Sequence, residues 1–261
     1  MRNPLLFKLR IGALALILSS MHLASSAAAE SVGVIETISG ATTVKVKSSA
    51  GVERVLGVRG ILQKGDVITT EESQVISIKL SDDTLMSIGP LSQVVIAKSD
   101  LGNEQSDTDI ELQKGMTHVA VQKVYNESHK FFLRTSTATM GVRGTEFFVE
   151  HGADNQTSIH TLEGSVAVGK AGENLANSKN AVLVNRGNMS SLKPQSAQPS
   201  VPKQFNENEF FRNLNTRSPA MVAQIKAHHA ALKAYRSKTT PRRRNAERTW
   251  HPRKKRRAIG H

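Results

Sequence analysis

The chain has 261 residues, 38% of them hydrophobic and only 4% aromatic, with no cysteine and a formal net charge of +13. That length suits one sizeable core with appendages rather than two full-sized domains. The lack of cysteine excludes disulfides, thiolate metal sites, a thiol nucleophile and a lipidated N-terminal cysteine, and a core left to Val, Ile and Leu favours strands.

In chain order, residues 1–29 come first. Arg2, Lys8 and Arg10 surround the start, the apolar run Ile11–Leu18 follows, and small residues end at Ala27–Ala29. This charged, greasy, A-x-A order predicts a secretory signal cleaved after Ala29, leaving Glu30 as the mature N-terminus. An uncleaved membrane anchor is the alternative, but the strongly apolar part falls short of the roughly 20 residues a spanning helix needs. The expected location is periplasmic or otherwise exported, with membrane or wall association left open.

Residues 30–192 read as one β domain. Short β-forming runs recur between glycines, among them TTVKVK (42–47), QVISIKL (74–80), QVVIAKS (93–99), FFLRTS (131–136), TEFFVE (145–150), TSIHTLEGSVAVG (157–169) and NAVLVN (180–185). Periods near two and frequent turn signals predict an all-β sandwich or barrel. GADNQ (152–156) reads as a hairpin loop, since Gly, Asp and Asn tolerate turn conformations. Two words repeat: LQKG at 62–65 and 112–115, and GVRG at 57–60 and 141–144. The first pair predicts equivalent strand-to-turn corners in two related sheet halves. In the second pair, Gly141 and Gly144 bend the chain, Val142 packs inward and Arg143 turns away. A guanidinium on such a corner clips sheets together through carbonyls or a carboxylate, with Asp66, Glu146 and Glu163 as candidates; a ligand-binding Arg143 is the alternative.

Catalytic patterns are scarce: G-x-S-x-G, H-E-x-x-H and G-x-x-x-x-G-K-[ST] do not occur. His151 and His160 flank the hairpin loop and could face each other, but two ligands fall short of the usual four of structural zinc, so they are expected at solvated strand ends. His228 and His229 are adjacent, and on a helix they point about 100° apart, so they do not clamp one ion. Asp82–Asp83 and Glu71–Glu72 are expected on solvated turns. No cofactor and no metal is expected, and the chain reads as a non-enzyme; an envelope-glycan hydrolase would need paired carboxylates that the sequence does not display.

Residues 193–217 read as a linker, beginning in the Ser/Pro/Gln-rich stretch around 190–204. A helix is predicted over 218–237, with Ser218 as N-cap, Pro219 at the first helical position and a stripe of Val222, Ile225, His229 and Leu232. The stripe docks on the β body or, alternatively, on a partner or membrane surface. Residues 238–261 read as a disordered basic tail. Residues 203–261 hold 16 Lys and Arg against 3 Asp and Glu, whereas residues 30–202 hold 16 against 19. Arg242, Arg243, Arg244, Arg253, Lys254, Lys255, Arg256 and Arg257, with Trp250 among them, are candidates for binding anionic lipid, lipopolysaccharide or cell-wall polymer. For an exported chain no physiological nucleic acid is expected; a merely solubilising end is the alternative.

The segment FFLRTSTATMGVRGTEFFVE (131–150) resembles the T-P-T-A-x-x-G-V-R-G-T-x-F signature of the FecR-type periplasmic domain family. LQKGDVITTEESQVISIKLSDDTLMSIGPLSQVVI (62–96), LQKGMTHVAV (112–121) and TLEGSVAVG (161–169) are similar to other segments of that family, so the resemblance spans roughly residues 32–190. It implies a FecR-like β-sandwich, jelly-roll-like in its double sheet, with Gly141, Val142, Arg143, Gly144, Thr145, Phe147, Gly65 and Asp66 as structural motif residues. It also implies a binding role towards a protein or envelope component. Two departures stand out: Ser136 replaces the favoured proline, loosening the approach to the corner, and Asp82–Asp83 replace Asp-Gly, asking a non-glycine to take the turn. Signalling members carry a cytoplasmic region ahead of the membrane that controls a sigma factor. Ten residues precede the apolar run here, so any sensor role is expected to run through a separate membrane-spanning chain.

Overall fold

The computed structural model describes residues 30–99, 106–122, 129–142 and 144–248. Chain order begins with β1 (Ser31–Ser39), β2 (Val44–Lys47), β3 (Glu53–Leu56), β4 (Ile61–Gln63), β5 (Val67–Thr69), β6 (Val75–Leu80), β7 (Leu85–Ile88) and β8 (Gln93–Ser99). The long strand β9 (Ser106–Ala120) follows. Then come β10 (His129–Arg134), β11 (Ala138–Val142), β12 (Glu146–His151), β13 (Thr157–Glu163), β14 (Ser165–Lys170), β15 (Val182–Asn185), β16 (Asn188–Leu192) and β17 (Lys203–Gln204). Two helices close the described chain, α1 (Glu207–Arg217) and α2 (Pro219–Arg248).

The strands form two sheets that share β9. One runs β4-β1-β6-β7-β9-β12-β13-β16-β17. The other runs β3-β2-β5-β8-β9-β10-β11-β14-β15. The all-β expectation for the body holds, as a double sheet around an aliphatic core that includes Ile35, Leu62, Ile96, Leu112, Val149 and Val166. The N-terminal part of β9 pairs with β8 and, in parallel, with β10; its C-terminal part pairs with β7 and β12.

Gly115 marks the exchange. Its φ of 92° is open to glycine, and a Cβ there would collide with Ser92. The Ser92 hydroxyl accepts from the Met116 N–H at 2.9 Å, so the strand bends without fraying. LQKG at 112–115 is therefore the middle of one continuous strand, not a strand end. Its echo at 62–65 lies where β4 of one sheet gives way to β5 of the other, with Gly65 at φ 82°. Both copies bury their leucine and exchange sheets at their glycine, in opposite directions.

The two outer faces differ. In the sheet containing β2, VKVK alternates: Val44 and Val46 face the core, Lys45 and Lys47 face water. In the other sheet, β7 is buried at every position and β6 at all but Lys79, because the helices cover that face. A row of register partners crosses it: Ser77, Ser87, His118, Phe148, His160 and Met189. Val75, Phe148 and Leu162 pack there against Leu214, Met221, Val222 and Ile225.

The C-terminal region departs from its expected divisions. Helix α1 occupies residues read as linker, because Asn206 caps it by accepting from the Glu209 N–H at 3.1 Å and Phe210, Phe211 and Leu214 give it an apolar face. Ser218 joins the helices: its N–H donates to the Leu214 carbonyl at 2.7 Å, and its hydroxyl accepts from the Met221 N–H at 3.3 Å. Helix α2 then runs through Arg248, into the segment expected to be disordered. Its stripe of Val222, Ile225 and Leu232 lies on the β body. Among the described residues, no helix is long and apolar enough to cross a membrane.

Candidate functional site

The second GVRG corner, its glutamate and the helix above them form the most elaborate constellation in the described chain. Strand β11 ends with Gly141 and Val142. Gly141 does not bend the chain; it makes room, since a Cβ there would sit 2.9 Å from Leu175. Val142 is buried in the core, as expected. Gly144 takes the bend at φ 64°. Thr145 is fully buried and its hydroxyl donates to the Ser165 carbonyl at 2.9 Å. Gly164, at φ 77°, lies so close that a Cβ would stand 3.0 Å from the Gly144 carbonyl. Two glycine bends thus nest together, and Phe147 then enters the core. Arg143 lies outside the described residues.

Glu146 opens β12 with a buried carboxylate pointing at the helix. One oxygen accepts from His118 Nε2 at 3.1 Å, the other from His229 Nδ1 at 2.7 Å. Burial pushes this carboxyl up, but the hydrogen bonds and charges of His118 and His229 outweigh it and hold it below the usual range. The neighbouring His228 turns the other way, with Nε2 2.8 Å from Ser77 Oγ and Nδ1 3.3 Å from Ser87 Oγ. Burial, followed by the His118 charge, pushes His228 down to about 3. The adjacent histidines therefore face different partners, as their helical spacing predicts. Ser77, Ser87 and His228 are sealed between helix and sheet, so these contacts hold the helix in register.

A cleft of about 360 Å³ opens beside this anchor. Lys233 and Arg236 line it from α2, Arg186 from the turn between β15 and β16, and Glu163 from the end of β13, with Glu146 and His229 alongside. Arg236 reaches Glu163 at 3.1 Å and donates to the Gly144 carbonyl at 2.9 Å. Arg186 approaches Glu163 at 3.5 Å.

The three carboxylates considered for Arg143 all have described partners of their own: Glu146 and Glu163 as above, and Asp66, buried beside Gly65, in an ion pair with Arg54. The Gln63 N–H also donates to Asp66 at 2.7 Å. Two histidine expectations fail. His151 is buried towards the interior, with Nδ1 3.0 Å from Thr157 Oγ1 and Nε2 3.0 Å from Ser136 Oγ. His160 faces the opposite side, among Phe148, Phe205 and Phe210, where burial pushes it down to about 4. Strand alternation places them on different faces, so they neither meet nor sit solvated. Among the described residues no group of three or more metal-ligating side chains is disposed to hold an ion.

Ser136 does not leave the approach to the corner loose, because its hydroxyl binds His151. Asp83 takes the turn at φ 67°, as its position demanded. Asp82, expected in solvent, is buried: it accepts from the Thr84 N–H at 2.8 Å and from the Thr108 hydroxyl at 2.9 Å. Arg242, Arg243 and Arg244 lie on the backbone of α2, and Trp250, Arg253, Lys254, Lys255, Arg256 and Arg257 lie outside the described residues. Sequence reasoning missed His118, Ser77, Ser87 and Arg236. For Ser77, Ser87 and His118 the available signal was polar residues at outward positions of strands otherwise too apolar for a solvent face.

No curated protein matches the sequence significantly. Two crystal structures from Parabacteroides distasonis ATCC 8503, at 1.65 and 2.50 Å and each described as a candidate anti-sigma factor, are similar in part. The first is 15% identical with a TM-score of 0.45, covering 57% of this chain and 64% of its own; the second is 14% identical with a TM-score of 0.44, covering 59% and 74%. The chain thus spans less than two thirds of the length of the first. The family model described as FecR protein matches residues 66–167, from buried Asp66 through the GVRGT corner to β14. The resemblance drawn from the GVRG and LQKG segments is therefore borne out: residues 66–167 of this chain match the FecR family.

Proposed function

We propose that this chain is a non-enzymatic exported binding module of the cell envelope that takes part in envelope signalling. Its double sheet recognises a protein or envelope component, and its basic end tethers it to anionic lipid, lipopolysaccharide or cell-wall polymer. The observation that carries the reading is the FecR match over residues 66–167, which includes a corner locked to α2 through Glu146 and Gly144. Side chains that could suggest catalysis, such as Ser77, Ser87 and His228, serve instead to dock the helix. Such a body suits recognition by a rigid surface.

A second reading, a periplasmic sensor subunit acting through a separate membrane-spanning chain, is favoured by the same family match. Crosslinking in intact cells followed by identification of the joined partner tests both. A membrane-embedded signalling protein joined to the body, with a transcriptional response lost on deletion, supports the sensor. A structural envelope component joined to it, with no transcriptional change, supports the scaffold. The charge imbalance of residues 203–261 supports the tether. Truncation at Ser200 would strip the cover from the sheet, so the tether is better tested by changing Arg253, Lys254, Lys255, Arg256 and Arg257 together to Gln. Retention on anionic vesicles should then fall and lose its salt dependence; unchanged retention rejects the tether.

A further inference from the structure

The cleft beside the Glu146 anchor has a charge pattern that helix docking does not use up. Arg186 and Arg236 converge on one carboxylate, Glu163, at 3.5 and 3.1 Å. Lys233 faces the same space, is exposed, and has no ion-pair partner among the described residues. The two carboxylates of the lining are both engaged: Glu163 by the arginines, and Glu146 by His118 and His229 on its two oxygens. Three cations against two occupied carboxylates leave positive charge in excess, on side chains delivered by two separate elements. Leu232 adds an apolar wall.

We infer that this cleft binds a phosphate group, with Arg186 and Lys233 as its principal ligands and Arg236 fixed at its edge by the Gly144 carbonyl. Guanidinium and ammonium donors arriving from different directions match a tetrahedral oxyanion better than a planar carboxylate, which takes a single fork. Glu163 already plays the planar part, holding the arginines in place and competing with the ligand. The volume accommodates a phosphorylated monosaccharide as well as free phosphate. Arg186 is two-thirds exposed and its ion pair is long, so its removal leaves the fold intact. The site is independent of the signalling reading: a partner on the body neither requires it nor excludes it.

Calorimetric titration of the full chain at fixed ionic strength, with inorganic phosphate, a hexose phosphate and the unphosphorylated hexose, tests the inference. Saturable binding of the phosphorylated probes and none of the bare hexose is expected. Preference between inorganic phosphate and hexose phosphate separates a free anion from an esterified one. Arg186→Ala and Lys233→Ala should each weaken binding about tenfold. Glu163→Gln should tighten it about threefold by releasing both guanidiniums. A cluster that merely clasps the helix would instead lose melting temperature in Glu163→Gln and gain no affinity. The inference is overturned by folded wild type showing no saturable heat, by affinity unchanged in both cation variants, or by stronger binding of acetate than of phosphate.

Discussion

The same tetrapeptide does two different jobs in this molecule. Both GVRG copies carry the chain from one sheet to the other, the first from β3 to β4 and the second from β11 to β12. In the first, Val58 is exposed, and the left-handed residue is Arg59 at φ 66°, its N–H donating to the Ile35 carbonyl at 2.8 Å. In the second, Val142 is buried, Gly144 takes a left-handed φ of 64°, and helix α2 grips the corner through Arg236 and Glu146. Identical residues thus fix only that a bend occurs. What lies two residues further on decides whether the bend becomes an anchor: Gly60–Ile61 leads into an edge strand, whereas Thr145–Glu146 leads into the middle of a covered sheet.

The largest contrast should come from the valines. Val142→Asp places a charge in the core and should cost more than about 4 kcal/mol, whereas Val58→Asp should stay within about 0.5 kcal/mol. Urea denaturation of the two variants checks this, and equal losses would make the corners equivalent after all.

Next comes the anchor. Glu146→Ala strands buried His118 and should cost about 3 kcal/mol. The covered corner should also confer acid sensitivity. Glu146 is held below the usual carboxylate range, so its contribution is present above the unfolded pKa and is lost as pH falls through the folded one. Burial holds His228 and His160 neutral, at about 3 and about 4 against the ordinary imidazole value of 6.5, so the unfolded chain takes up protons first as pH drops below 6.5. All three shifts point the same way: stability falls from about pH 6.5 towards pH 3. Denaturation at stepped pH should show that slope, and His160→Phe should flatten it; a flat profile in the wild type would break the assignment.

The smallest contrast is conformational. Gly144→Ala should cost about 1–2 kcal/mol for the left-handed backbone, while Arg59→Gly should change stability by less than about 0.5 kcal/mol, because relief of the same strain is offset by added chain entropy. Paired melting curves distinguish them.

Much of the body was legible because alternation reports a one-sided strand directly: VKVK and the hairpin around GADNQ fold where their patterns place them. What alternation cannot report is which sheet a strand joins. LQKGM reads as an end because glycine ordinarily punctuates, yet Ser92 accepts the backbone across Gly115 and the strand continues. The Glu146 anchor was half visible. His228, His229 and Glu146 stand out in the sequence, but joining His229 to Glu146 needs the helix laid over the sheet, a contact between residues 83 positions apart. Helix α1 was hidden for a different reason: its apolar face is short, and Phe210, Phe211 and Leu214 gain a partner only where Phe148, His160 and Phe205 meet them over the sheet.

Strand β9 has a mechanical meaning. Its hydrogen bonds enter both layers, and α2 rests on β7 and β9. Among the described strands, parting the layers therefore means stripping β9 from one of them. Tension arriving through the C-terminal helix spreads along one covalent rod into both halves at once.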